Sequence, residues 1–278
     1  MKKAAGITLY NPDIDRLKEN LDITAKSAER VICIDNGSKK PQQIDKLLSQ
    51  YHNVSLIRNQ KNMGIAKALN QIMEAADELG FDWILTLDQD SVMKPDLFDV
   101  YFSQIRDEHI GMMNCIIHDR KLGYSEPVPD EICTREEKLL ITSGCLTNIH
   151  AWKECGGFDE WMFIDVVDFD MCATMQEKGW KTLLVTYPGL LHETGYVTPK
   201  KVLGRERFLT NYAPIRYYYM IRNWIYYYRK HPNQFAPDER PYSVCTGILT
   251  IILFENRHIQ NTLAVFKGFL DGFFKKVR

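Results

Sequence analysis

Two aspartates separated by one residue follow an apolar run in the middle of the sequence. The run occupies residues 83–87, and Asp88, Gln89 and Asp90 come directly after it. A run of this length and composition predicts a buried strand, and both carboxylates then leave its carboxyl end, where open α/β sheets bind ligands. Carboxylate oxygens suit Mg²⁺ or Mn²⁺, and a diphosphate often accompanies such an ion. A polar turn that only closes the strand is the alternative.

Three more polar motifs follow apolar runs nearer the N-terminus. They are T-L-Y-N-P at residues 8–12, D-N-G-S at residues 35–38 and N-M-G-I-A-K-A-L-N at residues 62–70. Each motif alone could be a turn or a helix cap, because Asn, Asp, Gly and Ser favour both. The carboxyl ends of parallel strands meet at one edge of a sheet, so we expect these motifs to lie near the acidic pair.

A later acidic segment, residues 158–170, is a candidate source of a general base. Asp165 and Asp168 lie three positions apart, a spacing that places two side chains on one helix face. Like charges and aromatic neighbours can raise the pKa of a carboxyl group at such a place, which makes it a better proton acceptor. Acids that merely complement the positive end of a helix are the alternative.

Short apolar runs alternate with helical patterns up to about residue 117, which predicts βαβ units and a largely parallel sheet. Strands are expected at residues 4–9, 30–35, 54–58, 83–87 and 111–117. An apolar periodicity predicts a helix over residues 65–79. Polar, proline-containing residues 118–138 predict a surface loop. Beyond it we expect a strand at 139–142, a helix at 166–178 and a strand at 181–185.

The composition is that of an ordinary globular protein. The 278 residues are 45% hydrophobic and 26% charged, which fits one large α/β domain or one domain with an extension. With 35 basic and 36 acidic side chains the net charge is −1, so no overall field favours nucleic acid. Seven cysteines without a C-x-x-C pair indicate reduced thiols in a cytosolic protein. No secretory leader and no membrane-spanning stretch are expected.

Aromatic and basic residues dominate the last part of the chain. Residues 216–230 combine Tyr and Trp with Arg and Lys, a composition that suits the headgroup level of a bilayer. A last helix would place six apolar residues on one face: Ile259, Leu263, Phe266, Leu270, Phe273 and Val277. Packing on the rest of the protein is the alternative, and we expect part of this face to pack and part to touch a membrane.

Taken together, the motifs resemble the nucleotide-sugar-dependent family 2 glycosyltransferases, whose fold is called GT-A. The matching stretches are T-L-Y-N-P, I-D-N-G-S, N-x-G-I-A-x-A-x-N, W-I-L-T-L-D-Q-D-S, S-G-C-L and G-G-F-D-E-x-x-F-I-D-x-V-D. The stretches look most like those of bacterial rhamnosyltransferases. The resemblance runs from about residue 8 to residue 223, and Arg216, Arg222 and Asn223 match a further motif common in that group. The resemblance implies an α/β fold with a Rossmann-like, mostly parallel sheet, flanking helices and a C-terminal helical extension.

The resemblance also implies a division of the chain. A catalytic domain would occupy residues 1–200, with a nucleotide-binding half at 1–117 and an acceptor-binding half at 118–200. A helical extension that contacts a membrane would occupy residues 201–278.

On the nucleotide side, the resemblance assigns roles to five residues. Asp35 would accept a hydrogen bond from the imide N–H of uracil or thymine, which a carboxylate suits. Thr8 and Tyr10 would line the base and ribose pocket. Asn62 and Gly64 would lie beside the nucleoside, with Gly64 allowing close backbone approach.

For the metal, the resemblance implies that Asp88 and Asp90 hold the ribose and a divalent cation, Mg²⁺ or Mn²⁺, with Asp90 the more direct ligand. His192 matches the position of a third ligand after the last core strand. An ordinary surface or core histidine is the alternative, because a lone His is more often a satisfied structural residue.

On the acceptor side, Asp168 matches the base of the family. It would take the proton of the acceptor hydroxyl in a single displacement that inverts the anomeric carbon. The assignment among Asp165, Asp168 and Asp170 stays open, because many relatives carry Glu-Asp at this position. Trp161 and Phe163 would stack on the apolar face of an acceptor sugar, or pack in the core.

The leading hypothesis is a metal-dependent inverting glycosyltransferase that moves L-rhamnose from dTDP-rhamnose to a glycan or lipid-linked acceptor in bacterial surface polysaccharide synthesis. It would work in the cytoplasm, at the inner face of the plasma membrane, and a homodimer is left open. A UDP-hexose or galactofuranosyl transferase of the same fold is the nearest alternative. An aspartate-based phosphotransferase and a non-catalytic nucleotide-sugar-binding subunit are more distant alternatives.

Overall fold

The computed structural model describes residues 1–193, 198–202, 205–209, 212–234 and 257–277. Contacts within the chain divide it into two compact units. The first unit comprises Met1–Phe163 and Val167–Glu193, and the second comprises Ile164–Val166 and Thr194–Arg278. The predicted boundary at residue 200 and the predicted nucleotide-binding and acceptor-binding halves stay predictions.

A ten-stranded mixed sheet forms the centre of the first unit. Its strands are β1 (Ala4–Leu9), β2 (Arg30–Asp35), β3 (Val54–Arg58), β4 (Trp83–Asp88), β5 (Val92–Met93), β6 (Ile110–Asp119), β7 (Gly123–Tyr124), β8 (Thr134–Glu136), β9 (Cys145–Asn148) and β10 (Lys181–His192). The main path runs β3-β2-β1-β4-β9-β6-β10-β5, with β7 on β6 and β8 on β10. Strands β3, β2, β1 and β4 are parallel, whereas β9 lies antiparallel between β4 and β6. The five strands predicted up to residue 117 are confirmed.

Helices cover this sheet. They are α1 (Ile14–Ser27), α2 (Pro41–Leu48), α3 (Ile65–Glu78), α4 (Leu97–Gln104), α5 (Ile149–Cys155) and α6 (Val167–Glu177), with a 3₁₀ turn at Glu160–Met162. Asp13 caps α1, since its side chain accepts from the backbone N–H groups of Asp15 and Arg16. The predicted helices at 65–79 and 166–178 are confirmed as α3 and α6.

The parallel strands are apolar on both faces because helices cover both. Ala5 and Ile7 on one face and Ala4 and Ile84 on the other are fully buried. The core cluster on the first face extends to Leu17 of α1 and Phe98 of α4. Burial of such side chains supplies the main driving force for folding. The sheet edge that carries the polar motifs is therefore held on a rigid base.

The strand predicted at residues 139–142 is wrong, because this stretch is irregular and the strand begins at Cys145. Asn114 of β6 explains the difference. Its Nδ2 donates to the carbonyl oxygens of Ile141 and Ser143, at 2.7 and 3.2 Å. These carbonyls are satisfied by a side chain, so the segment does not need a neighbouring strand.

Two predictions around β10 were too simple. The predicted surface loop at residues 118–138 contains the short strands β7 and β8. The predicted strand at 181–185 continues to His192, past an irregularity in its pairing with β6 between Val185 and Leu190. Pro188 lies within that interval, where it removes no regular ladder hydrogen bond.

The second unit contains a hairpin of β11 (Thr198–Val202) and β12 (Arg205–Leu209) and the helices α7 (Pro214–Lys230) and α8 (His258–Phe274). Gly268 and Gly272 allow α8 to approach α7 closely. A Cβ atom added at these glycines would lie 2.5 Å from the carbonyl oxygen of Tyr218 and 2.4 Å from that of Arg222. Small residues one turn apart bring two helix backbones together in this way.

The apolar face predicted for the last helix does not make this contact. Its residues are exposed by 37 to 78%: Ile259, Leu263, Phe266, Leu270 and Phe273. Part of this face still packs, because the Arg229 guanidinium of α7 lies 5.8 Å from the centre of the Phe273 ring. Contact of the exposed remainder with a membrane stays a prediction. Tyr217, Tyr226 and Tyr227 of α7 are at most 1% exposed, so these aromatics pack instead of facing a bilayer. Among the described helices, none is both long and apolar enough to cross a membrane.

Candidate active site

Three potential metal ligands meet at one edge of the first unit's sheet. Asp88 ends β4, Asp90 lies in the following turn, and His192 ends β10. One ligand atom from each side chain lies within 4.8 Å of the other two, and all three residues are partly exposed. Carboxylate oxygens suit Mg²⁺ and Mn²⁺, and imidazole is a common metal ligand. The structure therefore groups the three residues that the sequence proposed, and the donor set fits a divalent cation.

Strand β5 explains how residues a hundred positions apart become neighbours. It directly follows the acidic pair and lies antiparallel to β10, with Val92 opposite Leu191. Asp90 precedes Val92 by two residues, and His192 follows Leu191. The register of this short pairing therefore brings the imidazole to the carboxylates.

Two buried serines support this cluster. The Oγ of Ser91 lies 2.8 Å from Nδ1 of His192 and 2.8 Å from the Oγ of Ser143, and the backbone N–H of Asp88 donates to Ser143 Oγ at 3.1 Å. In the tautomer that carries its hydrogen on Nδ1, His192 donates to Ser91 and keeps the Nε2 lone pair for a metal. Sequence reasoning assigned neither serine a role, although Ser91 adjoins the acidic pair.

We expect Ser91→Ala to weaken Mn²⁺ binding by about 10- to 100-fold, the usual loss when a group that orients a ligand is removed. The cause would be a freely rotating His192 ring. Calorimetric titration of Mn²⁺ into the full chain measures the effect. Ser55→Ala is a suitable control, because the hydroxyl of this partly buried serine of β3 donates to the carbonyl oxygen of Val31. Equal Mn²⁺ affinity in Ser91→Ala and wild type would show that Ser91 does not orient a ligand.

Gln89 connects the ends of β1 and β4. Thr8 lies opposite Asp88 in the parallel pairing of these strands. The backbone N–H of Tyr10 donates to Oε1 of Gln89 at 2.9 Å, and the Tyr10 side chain is 45% exposed. Thr8 and Tyr10 are thus placed beside the acidic pair, as a nucleotide pocket would require. Their contacts with a base or ribose stay predictions.

Asp35 is fully buried at the end of β2. Its Oδ1 accepts from the backbone N–H of Ser38 at 2.9 Å, and its Oδ2 accepts from Nε of Arg58 at 2.8 Å. Arg58 also donates to Asp45 at 2.7 Å. The carboxylate therefore already fastens the loop after β2, and a nucleobase would need access to one of its remaining lone pairs. Recognition of a base by Asp35 stays a prediction.

Asn36 organises the loop before α3. It is 5% exposed, and its Nδ2 donates to Oδ1 of Asn62 at 3.1 Å and to the carbonyl oxygen of Gly64 at 3.0 Å. Its Oδ1 accepts from the N–H of Met63 at 2.9 Å. Asn62 in turn accepts from the N–H of Gly64 at 2.9 Å. Asn62 is thus held in place by protein contacts, and its role beside a nucleoside stays a prediction.

Gly64 makes room for Phe163. Gly64 has a φ of +89°, and a Cβ atom there would lie 2.6 Å from the carbonyl oxygen of Phe163. That oxygen accepts from the N–H of Ile65, at the start of α3, at 2.6 Å. The glycine is therefore needed here for the close approach of the Phe163 backbone. The place of Gly64 beside a nucleoside stays a prediction.

Asn70 ties the acidic segment to α3. Its Nδ2 donates to the carbonyl oxygen of Phe158 and to Glu160 Oε1, both at 3.0 Å. Its Oδ1 accepts from the N–H of Phe158 at 2.8 Å and from Nε1 of Trp152 at 3.1 Å. Lys67 also pairs with Glu160 at 3.1 Å. All four hydrogen-bonding positions of this amide are used, so the last residue of the N-x-G-I-A-x-A-x-N motif is a structural tether.

Asp168 lies in the first turn of α6 and is partly exposed. Its Oδ1 accepts from the N–H of Phe169 at 3.0 Å, and the helix N-terminus favours a negative charge there. Asp170, in the same turn, is only 2% exposed. Accessibility thus favours Asp168 over Asp170 as a base. Trp161 and Phe163 are partly buried, and their stacking on an acceptor stays a prediction.

Asp165, the other candidate base, belongs to the second unit. Its side chain is 18% exposed, and Nη2 of Arg216 donates to its Oδ1 at 3.0 Å. Burial raises the pKa of Asp165, whereas the Arg216 guanidinium acts in the opposite direction. Asp165 is thus paired with a cation of the protein itself. This pairing argues against Asp165 as the group that accepts a proton from a substrate.

The chain is similar in sequence to known glycosyltransferases. The family model described as Glycosyl transferase family 2 matches residues 5–148, which include the acidic pair. The dTDP-rhamnosyl transferase RfbF of Shigella flexneri is 25% identical over 290 residues, and the match covers 96% of this chain and 96% of RfbF.

Solved structures share the fold. TarS of S. aureus, residues 1–349, gives a TM-score of 0.56 at 15% identity, covering 99% of this chain and 72% of that chain. The mannosyltransferase PcManGT of Pyrobaculum calidifontis, in complex with GDP-Man and Mn²⁺, gives 0.58 at 13% identity, covering 97% of this chain and 73% of that chain. The predicted GT-A architecture is confirmed, and at these identities the likeness concerns the fold alone.

Proposed function

The chain belongs to glycosyl transferase family 2, and on that premise we propose that it transfers L-rhamnose from dTDP-rhamnose to a hydroxyl group of a glycan or lipid-linked acceptor in bacterial surface polysaccharide synthesis. The observation that carries this proposal is the cluster of Asp88, Asp90 and His192 at the sheet edge. The match to RfbF along nearly the whole chain supports the choice of donor.

Asp88, Asp90 and His192 would hold a divalent cation, with Ser91 fixing the imidazole. A bound Mg²⁺ or Mn²⁺ neutralises a diphosphate and stabilises the charge that develops on the leaving nucleotide. Thr8 and Tyr10 would place the nucleoside beside this cluster. Held at both ends in this way, a bound donor would keep one orientation in the site.

Asp168 would act on the acceptor. It takes the proton of the acceptor hydroxyl as that oxygen bonds to the anomeric carbon and the bond to the diphosphate breaks. A single displacement of this kind inverts the anomeric configuration. Asp168 suits the task because it is partly exposed at a helix N-terminus.

The proposal is tested by calorimetric titration of the full chain with dTDP, UDP and GDP, and with dTDP-rhamnose and UDP-hexoses, with and without Mn²⁺. We expect dTDP-rhamnose to bind most tightly and only with the metal. Selective binding of a UDP-sugar would support the enzyme class but show that the donor is a UDP-hexose or a UDP-linked galactofuranose and not dTDP-rhamnose. No binding of any nucleotide would contradict the transferase function, and a phosphoenzyme trapped at Asp88 would indicate the phosphotransferase alternative.

We further propose that the exposed apolar face of α8 rests on an anionic membrane, where a lipid-linked acceptor would be found. Its apolar side chains are Ile259, Leu263, Phe266, Phe269, Leu270, Phe273 and Phe274, exposed by 37 to 78%. Lys267 and Lys276 are exposed beside them, and Lys275 follows the helix end. The one acid of α8, Asp271, accepts from the Tyr218 hydroxyl at 2.7 Å. An apolar face edged by cations suits anionic headgroups better than a second, equally cationic copy.

Vesicle sedimentation tests this surface. We expect the full chain to bind phosphatidylglycerol-containing vesicles better than phosphatidylcholine vesicles, and Leu263→Ser to lower binding about 10-fold through lost apolar burial. Leu122→Ser is a matched control, because Leu122 is 63% exposed and Leu263 is 65% exposed. Equal vesicle binding by Leu263→Ser and Leu122→Ser would contradict the proposal that this face of α8 binds the membrane. A concentration-dependent dimer lost in Leu263→Ser would assign the face to a second copy.

A further inference from the structure

Three residues of α7 that the proposed chemistry does not use, Arg216, Arg222 and Asn223, contact the segment just before α6 or orient the side chain that does. Segment 164–166 belongs to the second unit, as does α7. Asn223 is fully buried, and its Nδ2 donates to the carbonyl oxygens of Ile164 and Asp165, at 2.6 and 2.9 Å. Nε of Arg222 donates to the Asn223 Oδ1 at 2.9 Å, which fixes the orientation of the amide. Both amide hydrogens of Asn223 are thus used on successive peptide groups.

The segment that Asn223 holds is strained. Asp165 and Val166 have φ values of +66° and +67°, in the left-handed region. A β-branched residue such as valine is an outlier there, because its Cβ substituents crowd the backbone. Such conformations persist only where the surroundings enforce them, and they concentrate at functional sites. The ion pair of Arg216 with Asp165 is a second restraint on the same segment.

Val166 is bonded directly to Val167, the first residue of α6, and Asp168 follows. We propose that Asn223 and Arg216 are positioning residues, which hold segment 164–166 in its strained conformation and thereby set the direction in which α6 starts and Asp168 projects. We call the contacts of Asn223 and Arg216 with segment 164–166 the clamp. Asp165 is then held within the clamp, and Asp168 alone is the base. The identity of the base rests on the proposed function, whereas the clamp does not.

The side-chain chemistry makes the clamp specific. An aspartate at position 223 has the shape of asparagine but no hydrogen to donate, and it would place a carboxylate against two carbonyl oxygens. Asn223→Asp therefore removes both contacts with little change in volume. Asn261→Asp is a matched control, because Asn261 of α8 is also a buried asparagine of the second unit, 1% exposed.

Hydrogen–deuterium exchange of the full chain tests the clamp itself. We expect the amides of residues 164–168 to exchange at least about 10-fold faster in Asn223→Asp than in wild type, with β1 to β4 unchanged. Asn261→Asp should leave the amides of 164–168 as in wild type. Unchanged exchange in Asn223→Asp, or equal acceleration in both variants, would overturn the clamp. This result is independent of whether the chain uses a nucleotide sugar.

Hydrolysis of dTDP-rhamnose in the presence of Mn²⁺, with water as the acceptor and dTDP as the measured product, tests the effect of the clamp on Asp168. We expect Asn223→Asp to lower kcat at least about 10-fold with KM within about two-fold, since the donor site is untouched. The double variant Asn223→Asp/Asp168→Asn should be no slower than Asp168→Asn alone, because residues acting through one group do not add. Additive losses, or a loss confined to KM, would overturn the positioning role. A wild type that neither binds nor consumes any nucleotide sugar would contradict the proposed function, and the exchange result would still decide the clamp.

Discussion

Asp90→Ala is expected to lower the affinity for dTDP-rhamnose in the presence of Mn²⁺ by at least about 100-fold, because loss of a mere supporting group already costs about 10- to 100-fold in metal affinity. Asp90 is one of two carboxylates in the cluster with His192, and its removal leaves the diphosphate's charge poorly compensated. Calorimetric titration with and without Mn²⁺ measures the loss, and the two titration curves of the variant should become alike.

The control for this experiment is Asp99→Ala. The Asp99 side chain of α4 is 67% exposed and pairs with Lys3 at the surface, so its loss should leave donor binding unchanged. Donor affinity in Asp90→Ala that equals wild type, with Mn²⁺ present, would show that the acidic pair is a strand-closing turn and no metal site. Asp88 and His192 would then need another explanation for their approach.

Asp168→Asn is expected to lower the turnover of dTDP-rhamnose by about 10²- to 10⁴-fold, the range that a positioned general base contributes. Donor affinity should change by less than about two-fold, because an interaction used only during the reaction affects kcat and leaves binding intact. Steady-state kinetics of dTDP release, together with calorimetry of donor binding, separates the two effects.

Glu177→Gln is the matched control for the base, since Glu177 is an exposed acid at the other end of the same helix. We expect it to keep wild-type turnover. Wild-type turnover in Asp168→Asn would show that another residue is the general base. Asp165 would be the first alternative, although its ion pair with Arg216 and its burial argue against a role on the substrate.

The local parts of the fold could be predicted from the sequence because they depend on short-range patterns. Apolar runs flanked by turn residues gave β1 to β4, and the three- and four-residue periodicity gave α3. The prediction failed at residues 139–142, where the Asn114 side chain binds the carbonyl oxygen of Ile141 and that of Ser143, just beyond this stretch. No local pattern indicates that a residue 27 positions away will do this.

The apolar periodicity of α8 was also visible in the sequence, but its orientation was not. Periodicity shows that one face is apolar and does not show which face packs. The structure packs Val265, Gly268 and Gly272 inward and leaves Leu263 and Phe266 exposed. Two glycines allow the closer helix contact, so the small residues determined the packed face.

The sequence by itself determined the fold class, the acidic pair at the end of a strand and the residue types from which a metal site could be built. The resemblance to a known family proposed His192 as a third ligand, but only the tertiary structure shows how this distant residue reaches the acidic pair. His192 reaches Asp88 and Asp90 because β5 pairs with the far end of β10, beyond an irregularity that the sequence did not reveal. Ser91, Ser143 and Asn223 likewise gain their roles only through partners far along the chain. The physical reason is that hydrogen bonds and strand register join residues by distance in space, whereas local patterns report only neighbours along the chain.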